Sequence, residues 1–123
     1  MANRRFGWHS GSLACKDASL SKGLSMSSKA YAVDGVYEGH SFVLLDASSN
    51  AVELTIPAPL PGKFLVVSCV DASNAVTAVL SAGTYDGTNV TATFDAAEES
   101  LVLFGISATR FIIVSNIGAV ALS

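Results

Sequence analysis

Charged residues are scarce in this chain of 123 residues. Only 14% are Asp, Glu, Lys or Arg, whereas 50% are hydrophobic, and the mean hydropathy is +0.49. The longest apolar runs, such as residues 42–45 and 111–114, are far shorter than the ~20 residues that a membrane-spanning helix needs. We therefore expect the excess apolar surface to contact protein in a homo-oligomer, and we expect no membrane partner.

Histidine and cysteine are also scarce, with two of each. Neither His9 nor His40 stands at a zinc-ligand spacing from a cysteine or a carboxylate, and the chain has no G-x-S-x-G nucleophile motif. The single tryptophan precedes Cys15 and Cys69, whereas an immunoglobulin-type bridge has it between the cysteines. Cys69 is therefore expected to be a buried reduced thiol. We predict no catalytic residue, no metal site and no cofactor, and we do not expect an enzyme.

The few charges are unevenly distributed. Residues 1–33 carry five cations and one anion, a sum of +4, whereas residues 34–123 carry two cations and nine anions, a sum of −7. We divide the chain accordingly into a basic, irregular N-terminal arm, 1–33, and a β-rich body, 34–123. A basic arm can bind nucleic acid, an anionic membrane or an acidic protein surface. Dispersed cations without an aromatic platform make a poor phosphate groove, so we expect no nucleic-acid partner.

Two aromatic residues stand beside two arginines at the start of the arm. No apolar segment follows the charged pair, so we do not expect a secretory signal. Aromatic residues and arginine contribute most of the binding energy when a partner buries them. The candidate contact residues of the arm are Arg4, Arg5, Phe6, Trp8 and Lys16. The alternative is that both rings cover the core of the body.

A short phrase recurs in the body. LDASSNAV at 45–52 is followed by VDASNAV at 70–76 and by a looser version, FDAAEESL, at 94–101. Asp, Ser and Asn stabilise turns through hydrogen bonds to nearby backbone, and the flanking valines and leucines favour strands. Each unit is therefore predicted to be a hairpin, strand, turn, strand. Asp46, Asp71 and Asp95 are predicted to stabilise turns rather than to form an acidic site.

The intervening segments have the periodicity of strands. Residues 51–56 alternate between apolar and polar, which predicts a strand with one buried face. Three prolines between 57 and 61 predict a stiff surface connection. Residues 63–70 are almost wholly apolar, as in a strand that is covered on both faces. The spacing predicts an all-β fold, a single small sandwich or barrel of about seven or eight antiparallel strands.

The succession of these segments carries a resemblance. The order VLLDAS, AVELTIPA, GKFLVVSCVDASNAVTAV, YDGTNVTATFDAAEESLVLFG, TRFIIVSNIGAV resembles a repeat-bearing module of bacteriophage virion proteins, which include tail-fibre segments and small capsid-attached proteins. The resemblance runs from residue 42 to the C-terminus. It implies a trimeric, all-β virion component without enzymatic activity. Fibre proteins place the module at the end of a much longer chain, whereas here it follows a short basic arm.

Two functions are expected on this basis. The first is a capsid decoration (cement) protein of the virion, assembled in the bacterial cytoplasm, which binds the major capsid protein on the outside of the head through the arm and stabilises the shell. The alternative is a tail-fibre or adhesin module that binds a host-surface glycan through Tyr85 and the loop at 83–89.

Overall fold

The structure is a computed structural model that describes residues 26–123. Within this range the chain forms ten β strands and no helix. The strands are β1 (Ser28–Tyr31), β2 (Gly35–Val36), β3 (Phe42–Asp46), β4 (Val52–Ile56), β5 (Phe64–Asp71), β6 (Val76–Leu80), β7 (Thr91–Phe94), β8 (Ser100–Ser107), β9 (Arg110–Ile117) and β10 (Ala121–Leu122).

The strands form two five-stranded sheets. Sheet I has the order β1-β3-β5-β8-β9, and sheet II has the order β10-β7-β6-β4-β2. Side chains from both sheets form one buried cluster, because alternate residues of each strand point to the same side. In β4, for example, Val52, Leu54 and Ile56 are buried while Glu53 is exposed. The prediction of a small all-β sandwich is confirmed.

The sandwich is not purely antiparallel, and in this respect the prediction is wrong. Four of the eight strand pairings among the described residues are parallel: β1 with β3, β3 with β5, β2 with β4, and β4 with β6. After each of the first two repeated turns the chain crosses to the other sheet instead of returning beside the strand it has left. The repeats are therefore stacked coils, with Phe42 opposite Val66 and Val52 opposite Val76. Among the strands of residues 26–123, only β8 and β9 form a tight hairpin.

The sheet begins earlier in the chain than the sequence indicates. β1 lies inside the range 1–33 that the charge distribution assigns to the arm, yet it pairs with β3 along four residues, and the side chain of Tyr31 is buried. Lys29 Nζ lies 2.7 Å from Glu38 Oε1, so one of the cations of this range already has a partner in the body. The two-residue strand β2 is too short to leave a periodic pattern, and together with β1 it brings the strand count from the expected seven or eight to ten.

The proline-rich connection from β4 to β5 packs across β8. Gly62 donates its backbone N–H to the carbonyl of Gly105 at 2.8 Å, and the N–H of Gly105 is donated to the carbonyl of Lys63 at 2.8 Å. A Cβ at Gly105 would overlap the carbonyl oxygen of Leu60 and lie 2.8 Å from its carbonyl carbon. The connection therefore reaches β8 only because position 105 has no side chain.

Candidate interaction surface

The outer face of sheet I is apolar. Residues that face each other across paired strands point to the same side of a sheet, so the pairing assembles them into rows. One row runs through Phe42, Val66 and Val102, and the next runs through Phe64, Phe104 and Ile112. A third contains Leu44 and Ile117 with two serines between them. No residue in these three rows is charged.

Several large apolar side chains of this face are exposed. Phe42 and Leu44 are each 37% exposed, and Phe104, Ile112 and Ile117 are 38%, 47% and 53% exposed. The eight apolar residues of these rows, at ~4.8 Å between strands and ~6.8 Å between rows, cover about 260 Å² in projection. Apolar patches of a few hundred Å² on soluble proteins often have a function in binding. We therefore take the outer face of sheet I as the candidate interaction surface, and we call it the apolar face.

The outer face of sheet II has a different composition. The side chains that point outward from its central strands are Glu53, Thr55, Thr77, Val79, Thr91 and Thr93, of which only Val79 is apolar. These polar residues alternate with buried apolar ones, which is the pattern of a sheet that faces water. The apolar face is thus a property of one sheet and not of the whole surface.

Sequence reasoning did not identify the apolar face as a site. The sequence feature that could have indicated the apolar face is the apolar run at 63–70, from which a strand covered on both faces was predicted. In the structure, β5 is covered by sheet II on one side, and among residues 26–123 nothing covers Val66 from the other, so it is half-buried. The runs at 101–104 and 111–114 show the same excess of apolar residues.

The repeated aspartates stabilise turns, as predicted, in two of the three repeats. Asp46 Oδ1 accepts the N–H of Ser48 at 3.0 Å, and Asp71 Oδ1 accepts that of Ser73 at 2.8 Å. The hydrogen bonds from Ser73 lower the pKa of the Asp71 carboxyl below its ordinary value, because they favour the charged form. Asp46 and Asp71 lie opposite each other across β3 and β5, so the two turns are stacked.

The third repeat uses a different carboxylate. Glu99, which is 8% exposed, accepts the backbone N–H groups of Asp95 and Ala96 on Oε2 at 2.6 and 3.2 Å. The turn is therefore held by the glutamate four residues after Asp95. Between residues 26 and 123, no group of three or more His, Cys, Asp or Glu residues could hold a metal ion. The same range has no helix that is long and apolar enough to cross a membrane.

Tyr85 belongs to the core. It is 0% exposed, its hydroxyl donates to the carbonyl of Ala78 at 3.0 Å, and its ring stacks on Phe111 at 6.1 Å between centroids. Burial raises its pKa above the ordinary value. Tyr31 and Tyr37 are buried as well. The glycan-binding alternative therefore loses the aromatic residue on which it depended, because a sugar cannot stack on a ring inside the core.

The loop at 83–89 is held by its own residues and by the start of β9. Asp86 Oδ1 accepts the N–H groups of Thr88 and Asn89 at 3.0 and 2.8 Å, and its backbone carbonyl accepts a hydrogen bond from Arg110 at 3.1 Å. The bonds from Asn89 and Thr88 lower the pKa of the Asp86 carboxyl. The hydrogen bonds of Asp86 thus stabilise the conformation of this loop.

The candidate contact residues of the arm lie outside the described residues. These are Arg4, Arg5, Phe6, Trp8 and Lys16, and His9 and Cys15 also lie there. Cys69 is buried with a free thiol, as predicted, and burial raises its pKa. No model of a known protein family matches this chain, and no curated protein matches it either.

Proposed function

We propose that this protein is a non-enzymatic structural protein of a bacteriophage virion, a homotrimeric decoration protein that binds the outer surface of the head and stabilises it. The observation that supports the proposal best is the apolar face. A folded chain that leaves three uncharged rows, composed mainly of Phe, Leu, Val and Ile, exposed on one sheet gains free energy when a second protein surface covers them.

The body supplies the self-association in this proposal. The apolar face has no charge that would select a charged partner, and each further copy of the chain brings a surface of the same composition. Interfaces of permanent homo-oligomers resemble a domain core cut in half, which fits a face of this composition. The threefold symmetry comes from the resemblance to virion modules.

The arm supplies the contact with the capsid. Its cations and aromatic rings, Arg4, Arg5, Phe6, Trp8 and Lys16, are the residue types that anchor interfaces, and they precede a body with a net negative charge. A trimer presents three arms, so modest contacts combine into strong binding. A protein that binds only the assembled shell stabilises that shell by mass action.

Binding to undecorated heads tests this proposal. The full chain and the double variant Arg4→Ala/Arg5→Ala are mixed with heads that lack the protein, and the heads are pelleted. The variant Lys63→Ala/Arg110→Ala is the matched control, because it also removes two positive charges but from the body. We expect the control to pellet with heads and to raise their thermal stability, whereas the arm variant stays in the supernatant.

The result must be separated from misfolding. Circular dichroism is recorded for both double variants, and we expect each to keep the β content of the wild type. If the full chain does not bind heads, or if the two variants bind equally, the proposed function is wrong.

A further inference from the structure

One end of the sandwich is strongly acidic. Hydrogen bonds connect the turns that follow β1, β3, β5 and β7, so these turns lie at the same end. The donor and acceptor pairs are Glu53 with Asp34, Asn74 with Ala47, and Cys69 with Glu99, at 2.8, 3.2 and 2.8 Å. We call this the acidic end, because it has no Lys or Arg from the described range and seven of the nine carboxylates of residues 26–123: Asp34, Asp46, Glu53, Asp71, Asp95, Glu98 and Glu99.

The opposite end carries the remaining charges and the start of the described chain. The carbonyl of Ser27 accepts the N–H of Phe42 at 3.0 Å, so residues 1–25 join the body at this end. We call it the arm-proximal end, and it comprises residues 26–29, 37–41, 57–63, 81–90 and 106–110. The three cations of the described range and its other two carboxylates lie there: Lys29, Lys63, Arg110, Glu38 and Asp86.

The charged side chains of the arm-proximal end bond to groups of the body itself. Lys29 Nζ lies 2.7 Å from Glu38 Oε1, and Lys63 Nζ lies 2.5 Å from the carbonyl oxygen of Gly39. The other two charged side chains take part in the hydrogen bonds that hold the loop at 83–89. Another protein can therefore cover this end without separating a charge from its partner.

Exposed apolar side chains are also found at the arm-proximal end. Met26, Leu60 and Ile106 are 42%, 52% and 50% exposed. Leu60 and Ile106 lie close together, because the carbonyl of Leu60 packs on Gly105. Covering these side chains with a second protein removes apolar surface from water, which is favourable.

The acidic end is an unfavourable contact for another protein. A carboxylate that leaves water loses its hydration, and this loss is offset only when a cation meets it at good geometry. A partner would have to supply cations for seven carboxylates, because the described body supplies none at this end. The arm-proximal end is therefore the one that can be buried at the lower free-energy cost.

The length of the arm does not choose between the two ends. Residues 4–8 precede Met26 by about 20 residues, and an extended chain of that length spans about 65 Å. A strand of eight residues spans about 26 Å, so the arm is long enough to pass either end. The charges and the exposed apolar side chains make the choice.

We propose that the arm-proximal end of the sandwich contacts the outer surface of the capsid and that the acidic end points away from it. The inference rests on the proposed function and adds the orientation of the body and the chemistry of its contact. Met26, Leu60 and Ile106 make the contact, so the area of the major capsid protein beneath them is apolar. Lys63 and Arg110 bond within the body, so their removal leaves this contact in place.

Binding of full-length variants to undecorated heads tests the orientation. Leu60→Glu and Met26→Glu each place a carboxylate in the contact. We expect each to raise the apparent Kd for heads at least about tenfold, because the carboxylate is buried without a partner. Val33→Glu is the matched control, since Val33 is 59% exposed in the turn between β1 and β2, at the acidic end. We expect it to bind as the wild type does.

A further variant removes charge from the acidic end. Asp95→Asn/Glu98→Gln neutralises two exposed carboxylates. We expect it to bind heads as tightly as the wild type, because this end does not contact the shell. A shell that holds the acidic end through its own cations would instead bind this variant more weakly.

The outcomes separate the orientation from the function on which it rests. A full chain that does not bind heads overturns the proposed function and the orientation with it. If the full chain binds, but the Leu60 and Met26 variants bind as tightly as Val33→Glu or the acidic-end variant binds more weakly, only the orientation is wrong. Sedimentation and circular dichroism without heads complete the test. If both variants dissociate or unfold there, this end belongs to the protein's own contacts, and the orientation is again wrong.

Discussion

The contact between the proline-rich connection and β8 makes Gly105→Ala the most informative single substitution in the sandwich. The added methyl group would overlap the carbonyl oxygen of Leu60, which is backbone and cannot rotate away. The connection must shift, and both hydrogen bonds of Gly105, to Gly62 and Lys63, would be strained or lost. Overpacking costs about 1–3 kcal/mol and each backbone bond about 1 kcal/mol, so we expect a loss of about 3–5 kcal/mol.

A second glycine of the same connection provides the control. Gly62 has a φ of 77°, and no atom lies within 4 Å of the position that an added methyl group would take. Gly62→Ala therefore meets only the strain of a left-handed backbone, about 1–2 kcal/mol. In thermal unfolding at one fixed protein concentration, we expect the Tm of Gly105→Ala to be roughly 15 °C or more below that of the wild type. If Gly105→Ala is no less stable than Gly62→Ala, the connection does not pack on β8 as described.

Two further predictions concern the loop at 83–89. Tyr85→Phe removes the hydroxyl that donates to Ala78, so urea unfolding should show a loss of about 1 kcal/mol with the fold retained; an unchanged stability would contradict the buried hydrogen bond. Asp86→Asn removes a carboxylate whose pKa is lowered by the N–H groups of Asn89 and Thr88. A lowered pKa stabilises the folded state above the unfolded value of 3.8, and this stabilisation disappears as the pH falls through the folded pKa. The variant should therefore be less stable than the wild type near neutral pH and equally stable well below pH 3.8; a difference that persists in acid would contradict the charge effect.

The local features of the fold were predictable from the sequence because they depend on neighbouring residues. Asp46 and Asp71 bond to an N–H two residues ahead, so the turn chemistry is complete within one short phrase. The alternation at 51–56 likewise reports one buried face of one strand. Neither signal depends on where the next strand of the chain goes.

The strand topology was not predictable, because these local signals do not indicate which sheet the next strand joins. A turn at Asp46 has the same local chemistry whether the chain returns beside β3 or crosses to the other sheet. Which of the two courses the chain takes depends on packing between segments that are 24 residues apart, such as Phe42 with Val66 or Val52 with Val76. The third turn shows a further limit: Glu99 replaces the aspartate as acceptor, which the looser phrase at 94–101 did not reveal.

The apolar face is the feature that connects sequence and proposed function. The run at 63–70 predicts a strand covered on both faces, and within the described chain β5 is covered on one face only. In a homo-oligomer, another copy of the chain would cover the second face of β5.

Sedimentation velocity on the full chain at micromolar concentration tests this central claim most directly. The variants Phe104→Lys, on the apolar face, and Val36→Lys, on the outer face of sheet II, are compared with the wild type, and circular dichroism verifies the fold of each. We expect the wild type and Val36→Lys to sediment as one homo-oligomer, and Phe104→Lys to sediment as a folded monomer. A wild type that sediments as a monomer, or a Phe104→Lys variant that remains fully oligomeric, would contradict the claim.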